Sequence, residues 1–393
     1  MLGQRLKQVR LARGLSLEAL AAEMGGIITK QALSKYEQDK SQPSQRVLHK
    51  LAAALRVKAS YLWSEPAVDI EFVAYRKRSR LTRKEQERIQ SIVGRALEER
   101  VHLYDLIQPD NNIDIPVQLL PVKIVEDAEY AAAQLRRQWE LGLDPIAHVT
   151  HVLEAHNVHV LEVEASEKFD GISAVVRNPD GQVKAAAVVV RRGLPGERQR
   201  LSLLHELAHL VLDVAPSCDE EKAAYRFAAA FIAPATMIYH EVGTNRSFLQ
   251  PQELLLWKQH LGISVQALLY RLRDLEVITA SYYTQWCIIV NKLKWRKQEP
   301  CELPPEEPAW LHQNVLRALS EGFITREEAQ DMLGKQFDIE VPLSLIERRA
   351  FMKLPLEERR RILAQQAEKM VTHYETDLAW RDLGGGDVVE YEE

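Results

Sequence analysis

A chain of 393 residues is longer than one hydrophobic core usually serves, so two or three domains are expected. The 46% apolar and 27% charged residues are ordinary for a globular protein, and a formal net charge of −5 excludes a polycation, so any nucleic-acid surface must be local. No apolar run approaches the roughly 18 residues of a membrane span and no signal-type segment opens the chain, which sets the expectation of a cytoplasmic protein.

Residues 1–64 read as a five-helix bundle. Leu2–Ala12 has helical apolar spacing, Ser16 is placed to cap Leu17–Met24, a Gly25-Gly26 turn follows, and Thr29–Gln38 and Ser44–Leu55 supply further helices. Here 11 Lys and Arg stand against 4 acids, opposite in sign to the whole chain, as expected of a surface for duplex DNA.

Arg5-Leu-Lys-Gln-Val-Arg-Leu-Ala-Arg-Gly-Leu-Ser-Leu-Glu-Ala-Leu-Ala, followed by Gln31-Ala-Leu-Ser34-Lys-Tyr-Glu37-Gln-Asp-Lys-Ser-Gln-Pro43-Ser, resembles the Cro or Xre type of helix-turn-helix. The resemblance implies that the helix from Thr29 enters the major groove. Gln31, Ser34 and Lys35 would then meet base edges or phosphates, and Lys30, Lys40 and Arg10 the DNA backbone. It also implies a homodimer on paired half-sites of a double-stranded operator.

Residues 65–114 read as a linker holding a long polar helix, Leu81–Leu106, with Thr82 as its cap. Between Ile113 and Val190, helices alternate with β-rich runs at Val158–Val163, Ile172–Val176 and Val183–Val190. That pattern suits a small antiparallel sheet packed on helices, within a domain spanning 115–295.

Arg198-Gln199-Arg200-Leu201-Ser202-Leu203-Leu204-His205-Glu206-Leu207-Ala208-His209 then carries an HExxH motif. Residues i and i+4 share a helix face, so His205 and His209 can reach one ion, with Glu206 one step round and able to act on water. The flanking leucines and the absence of Gly or Pro from Glu197 to Ala215 support a helix. A two-histidine zinc site needs a third protein ligand, and Asp219, Glu220 and Glu221 arrive at the start of the next helical stretch. Zinc is the expected ion, with manganese or iron as alternatives.

The string from Arg200 to His209 and the one from Glu221 to Pro234 resemble the ImmA/IrrE metallopeptidase family. So do Phe169-Asp170-Gly171-Ile172-Ser173 and Leu135-Arg-Arg-Gln-Trp139 with Gly142. The resemblance implies a zincin-like peptidase fold, His205, His209 and Glu221 as metal ligands, and Glu206 as catalytic base. It also implies a substrate among helix-turn-helix repressors, cleaved under stress or in control of mobile elements. Because both domains share one chain, cleavage of itself or of a partner repressor or antitoxin is expected. Ala208, Leu201 and Tyr225 stand where the family usually has Gly, Phe and Asn. Tyr225, Arg226 and His240 are the candidates to stabilise an oxyanion.

Leu254–Leu261 and Ser264–Leu275 read as a further helical pair about Gly262. Cys218, Cys287 and Cys301 fit no CxxC pairing and are expected to be free thiols. Residues 296–353 form a helical C-terminal region after a proline-rich linker, with helices near Glu307–Glu321, Thr325–Leu333 and Leu343–Met352. Residues 354–393 resemble the C-terminal segment of small bacterial antitoxins: an amphipathic helix and then, from Tyr374, a tail of 7 acids and 1 Arg. The fold class expected is α+β and mostly helical, and the function a DNA-binding regulator with a zinc-dependent endopeptidase domain. The second reading is an autoregulatory antitoxin, its peptidase fold a scaffold or sensor and its tail the part that neutralises a toxin.

Overall fold

The computed structural model describes all residues except 1, 64–67, 74–80, 109–114, 119, 179, 297, 335–350 and 377–393. The predicted helix at Leu343–Met352 falls almost wholly outside the described residues, as does the acidic tail beyond residue 376. The chain divides into two compact units, Met1–Ala318 and Leu319–Glu393.

Five helices open the first unit: α1 (Leu2–Ala12), α2 (Leu17–Glu23), α3 (Lys30–Glu37), α4 (Gln45–Leu55) and α5 (Ala59–Trp63). Ser16, Thr29 and Ser44 each accept a backbone N–H in the first turn of α2, α3 and α4, satisfying donors that helix geometry leaves open. Leu6, Leu20, Leu33, Leu51, Leu55 and Leu62 are fully buried and form the core of this bundle.

Strand β1 (Asp69–Val73) and the 25-residue helix α6 (Arg83–Ile107) follow. A reciprocal capping box between Thr82 and Glu85 starts α6. One stripe of α6, Ile89, Val93, Leu97 and Val101, is buried against the sheet described next. Another side meets α1, where Arg5 pairs with Glu98 and the Tyr61 hydroxyl donates to the same carboxylate at 3.1 Å.

The rest of the unit contains β2 (Leu120–Val122), α7 (Asp127–Gln138), α8 (Val149–Ala155), β3 (Val158–Val163), β4 (Gly171–Arg177), β5 (Val183–Arg191), α9 (Gly196–Val211), β6 (Leu212–Val214) and α10 (Glu220–Ile232). Then come α11 (Ala235–Glu241), α12 (Pro251–Leu261), α13 (Val265–Asp274), α14 (Ala280–Lys292) and α15 (Trp310–Glu321). A four-stranded sheet runs β1-β4-β5-β3, and β2 pairs with β6 in a separate ribbon.

The sheet is mixed rather than antiparallel. β3 lies parallel to β5, because the chain passes over the place of β5 before turning back through β4. Both faces of β5 are covered, which is why Ala185–Val190 reads as an unbroken apolar run instead of alternating. Its even-numbered residues join the core with α9 and α10, and its odd-numbered ones join the core with α6.

Residues 299–310 are sewn across the first turns of α8, α9 and α13. Glu299 accepts from the Val265 and Gln266 amides, and Leu303 N–H donates to Glu197 at 3.0 Å. Glu306 caps α8 through Val149 and Thr150 and pairs with Arg200 at 3.0 Å. Gly262 closes α12 with φ +68°, and a Cβ there would come within 2.6 Å of the Arg200 guanidinium, so a side chain is excluded twice over. In the second unit, α16 (Arg326–Leu333) begins with a Thr325–Glu328 capping box and α17 spans Leu356–Thr376.

Candidate metal centre

Helix α9 has no Gly or Pro after its first residue, and it lies wedged between the sheet and α10. Leu203, Leu204, Leu207, Ala208, Leu210 and Val211 are all fully buried. This fixes the face on which His205 and His209 stand. Their Nε2 atoms lie 3.2 Å apart. Two nitrogens each about 2.0–2.1 Å from a tetrahedral ion stand roughly 3.3 Å apart, so the pair has the spacing of ligands sharing one cation.

Helix α10 supplies acids from the other side, and helical rotation gives three consecutive residues three different tasks. The Asp219 carboxylate accepts the Lys222 amide as the N-cap. Glu220 stands 3.3 Å from Nδ1 of His209, where it orients that ring and selects the tautomer with Nε2 free. Glu221 faces both rings, at 3.7 Å from Nε2 of His205 and 4.0 Å from Nε2 of His209. Among the described residues, His205, His209 and Glu221 are brought within 4.8 Å of one another.

The surroundings suit a cation. Burial first, and the neighbouring His209 second, push the His205 imidazole down to about 3, so it stays neutral as a ligand must be. Burial, reinforced by the charges of Glu221 and Asp170, pushes the Glu206 carboxyl up to about 8, against the opposing hydrogen bond from Ser173. Two imidazoles and one carboxylate, with a second carboxylate behind a ring nitrogen, are a donor set that zinc, manganese or iron accepts.

Glu206 itself is held by β4. The Ser173 hydroxyl lies 2.7 Å from the Glu206 carbonyl and 2.9 Å from its Oε2. Gly171, two residues earlier on the same strand, lies so close that a Cβ would come within 2.7 Å of Glu206 Cγ and Oε1. Only glycine permits that approach. The Asp-Gly-Ile-Ser motif therefore forms the back wall behind Glu206.

Of the three oxyanion candidates, only Tyr225 is at the site, its ring centroid 4.2 Å from that of His205. Burial and the acids around it raise its hydroxyl above the usual tyrosine range. Arg226 is engaged by Glu129 and Asp274, and His240 is exposed beside Glu241.

These two regions match known families. Residues 6–62 match the family model for a helix-turn-helix, and residues 154–273 match that for an IrrE N-terminal-like domain. The chain carries a helix-turn-helix DNA-binding domain and a peptidase-like domain. No curated protein and no solved structure matches. The antitoxin resemblance of residues 354–393 has no counterpart in these matches, which end at residue 273. No helix among the described residues is long and apolar enough to cross a membrane.

In the DNA-binding domain, Lys30, Gln31, Lys35 and Lys40 are exposed and Ser34 is half-buried, accepting from Gln38 at 3.0 Å. Lys30 pairs across to Glu18. Arg10 is a correction to the expected DNA contacts: it is buried, its guanidinium forks onto Glu37 at 2.6 and 2.8 Å, and it also donates to the Leu15 carbonyl. A side chain spent on fastening α3 to α1 does not reach a phosphate. Cys218 and Cys287 are half-buried and Cys301 is exposed, all as free thiols.

Proposed function

We propose that this DNA-binding regulator is a metal-dependent endopeptidase, with His205, His209 and Glu221 as ligands and Glu206 as general base, acting on itself or on a partner helix-turn-helix repressor. The convergence of three donor atoms beside a buried carboxylate carries the reading. When bound, zinc, or manganese or iron in its place, supplies Lewis acidity for peptide hydrolysis.

Glu206 takes the proton from the attacking water and hands it to the departing amine nitrogen. Ser173 and Gly171 fix the position of its carboxyl, and Glu220 keeps His209 in the ligand tautomer. Exposed Gln31 and Lys35 on α3 supply contacts to base edges and phosphates, and Lys30 and Lys40 supply backbone contacts. A helix-turn-helix beside the peptidase brings the site to other repressors bound at the same operator, which supports a repressor as substrate. The test is Glu206→Gln: cleavage of the full chain or its partner repressor should cease while operator affinity and metal content stay unchanged. Persistent cleavage in that variant overturns the assignment.

A further inference from the structure

We infer that the outer edge of β4 is the docking edge for an extended polypeptide, and that β1, from the chain's own interdomain linker, occupies that edge and must leave for a substrate to bind. This rests on the peptidase reading above.

Three observations support it. First, β4 is the strand that frames the site, since Gly171 and Ser173 both touch Glu206. Its inner edge is paired antiparallel with β5, so an incoming chain can add only at the outer edge, and β1 sits there. An exposed strand edge is a row of unpaired N–H and C=O groups that binds extended chains of many sequences, as a peptidase requires.

Second, β1 runs antiparallel to β4 and its register leads toward the reacting groups. Asp69 is opposite Arg177 and Val73 opposite Ser173, so the last described residue of the strand lies two residues, about 7 Å, short of the level of Gly171. It covers the stretch of β4 that would bind residues on the amino side of a cleaved bond.

Third, β1 is lightly held. None of its five residues is buried, whereas β3, β4 and β5 are buried along most of their length. Only Ile70, Phe72 and Val73 are half-buried, Asp69 is exposed, and the Glu71–Arg177 pair lies on the surface. A strand that buries so little belongs to the low-stability end of a fold and can be displaced.

The test uses the zinc-loaded full chain and a variant in which 69–73 are replaced by Gly-Ser-Gly-Ser-Gly, which keeps the tether but not the strand. Two probes are titrated: acetohydroxamic acid, which tests the centre alone, and an acetylated valine–threonine tetrapeptide hydroxamate, which also needs the edge. Acetohydroxamate should bind both proteins equally, and the peptide hydroxamate should bind the variant at least tenfold more tightly than the wild type. Phe72→Pro is the second variant should the five-residue replacement fail to fold. Equal affinity of the peptide hydroxamate for both folded proteins overturns the inference while leaving the peptidase reading intact. Failure of acetohydroxamic acid to bind both proteins removes the metal-centre reading and this inference with it.

Discussion

Lys258→Met is a direct test of how α9 is anchored. The Lys258 side chain is fully buried and its Nζ donates to Glu197 at 2.5 Å and Glu299 at 3.0 Å, both carboxylates being almost fully buried. Glu197 lies in the first turn of α9, Glu299 in the strap across α13. Methionine fills much of the same volume but leaves two buried carboxylates with only backbone donors: Leu303 for Glu197, Val265 and Gln266 for Glu299.

Removing one partner from a buried ion pair costs about 3–5 kcal/mol, a large share of the roughly 5–15 kcal/mol that separates folded from unfolded protein. In a unit of this size the midpoint should fall by roughly 4–8 °C. Lys258→Met combined with Glu197→Gln and Glu299→Gln should recover more than half the loss, because neutral amides can still accept those backbone N–H groups. Urea and thermal melts of the three proteins decide the matter. A loss below about 1 kcal/mol for the single variant, or a triple variant no better than the single one, would refute the argument that this cluster is dry and charge-compensated.

Glu220→Gln should weaken metal affinity by about 10–100-fold while keeping all three ligands, read by competition with a chelator; an unchanged affinity would mean that the Glu220–His209 contact does not tune the ligand. Burial, aided by Arg100, holds the His159 imidazole down at about 3, so between pH 6.5 and that value the unfolded chain takes up a proton that the folded one refuses. Stability should therefore fall with pH in this window at about 1.4 kcal/mol per pH unit, roughly 2 kcal/mol by pH 5. His159→Leu should flatten that part of the profile, and identical acid slopes in denaturant melts would rule the assignment out. Lys35→Ala should weaken operator binding across sequences and lower its salt slope by about 1, whereas a loss confined to one base pair would make Lys35 a base reader.

What was legible in the sequence was what local periodicity encodes. The i, i+4 spacing of His205 and His209 and the caps at Ser16 and Thr82 needed only one helix at a time. Periodicity left Asp219, Glu220 and Glu221 open, because the choice depends on how α10 is rotated against α9, and only the family resemblance pointed to Glu221. The bidentate Arg10–Glu37 pair was missed for the same reason: a basic residue on an exposed-looking helix face gives no sign of a partner 27 residues on. Nor does Asp69–Val73 look like a strand by itself. It becomes one only against β4, about a hundred residues later in the chain.

The period of two along β4 explains why one strand serves two parts of the molecule. Gly171 and Ser173 face α9 and hold Glu206, and Val175 continues that face into the core with α10. Ile172, Ala174 and Val176 face the other way and pack with the α6 stripe. The far side of α6 meets α1 of the DNA-binding bundle, where Gly94 leaves room for Gln8. A displacement of β1 would free the edge of the strand that both layers share, and would also release the linker that tethers the bundle. If substrate docks as proposed, its binding would therefore also bear on the segment that leads from the helix-turn-helix domain to α6. Operator affinity should accordingly change in the 69–73 replacement even though no DNA-facing residue is altered.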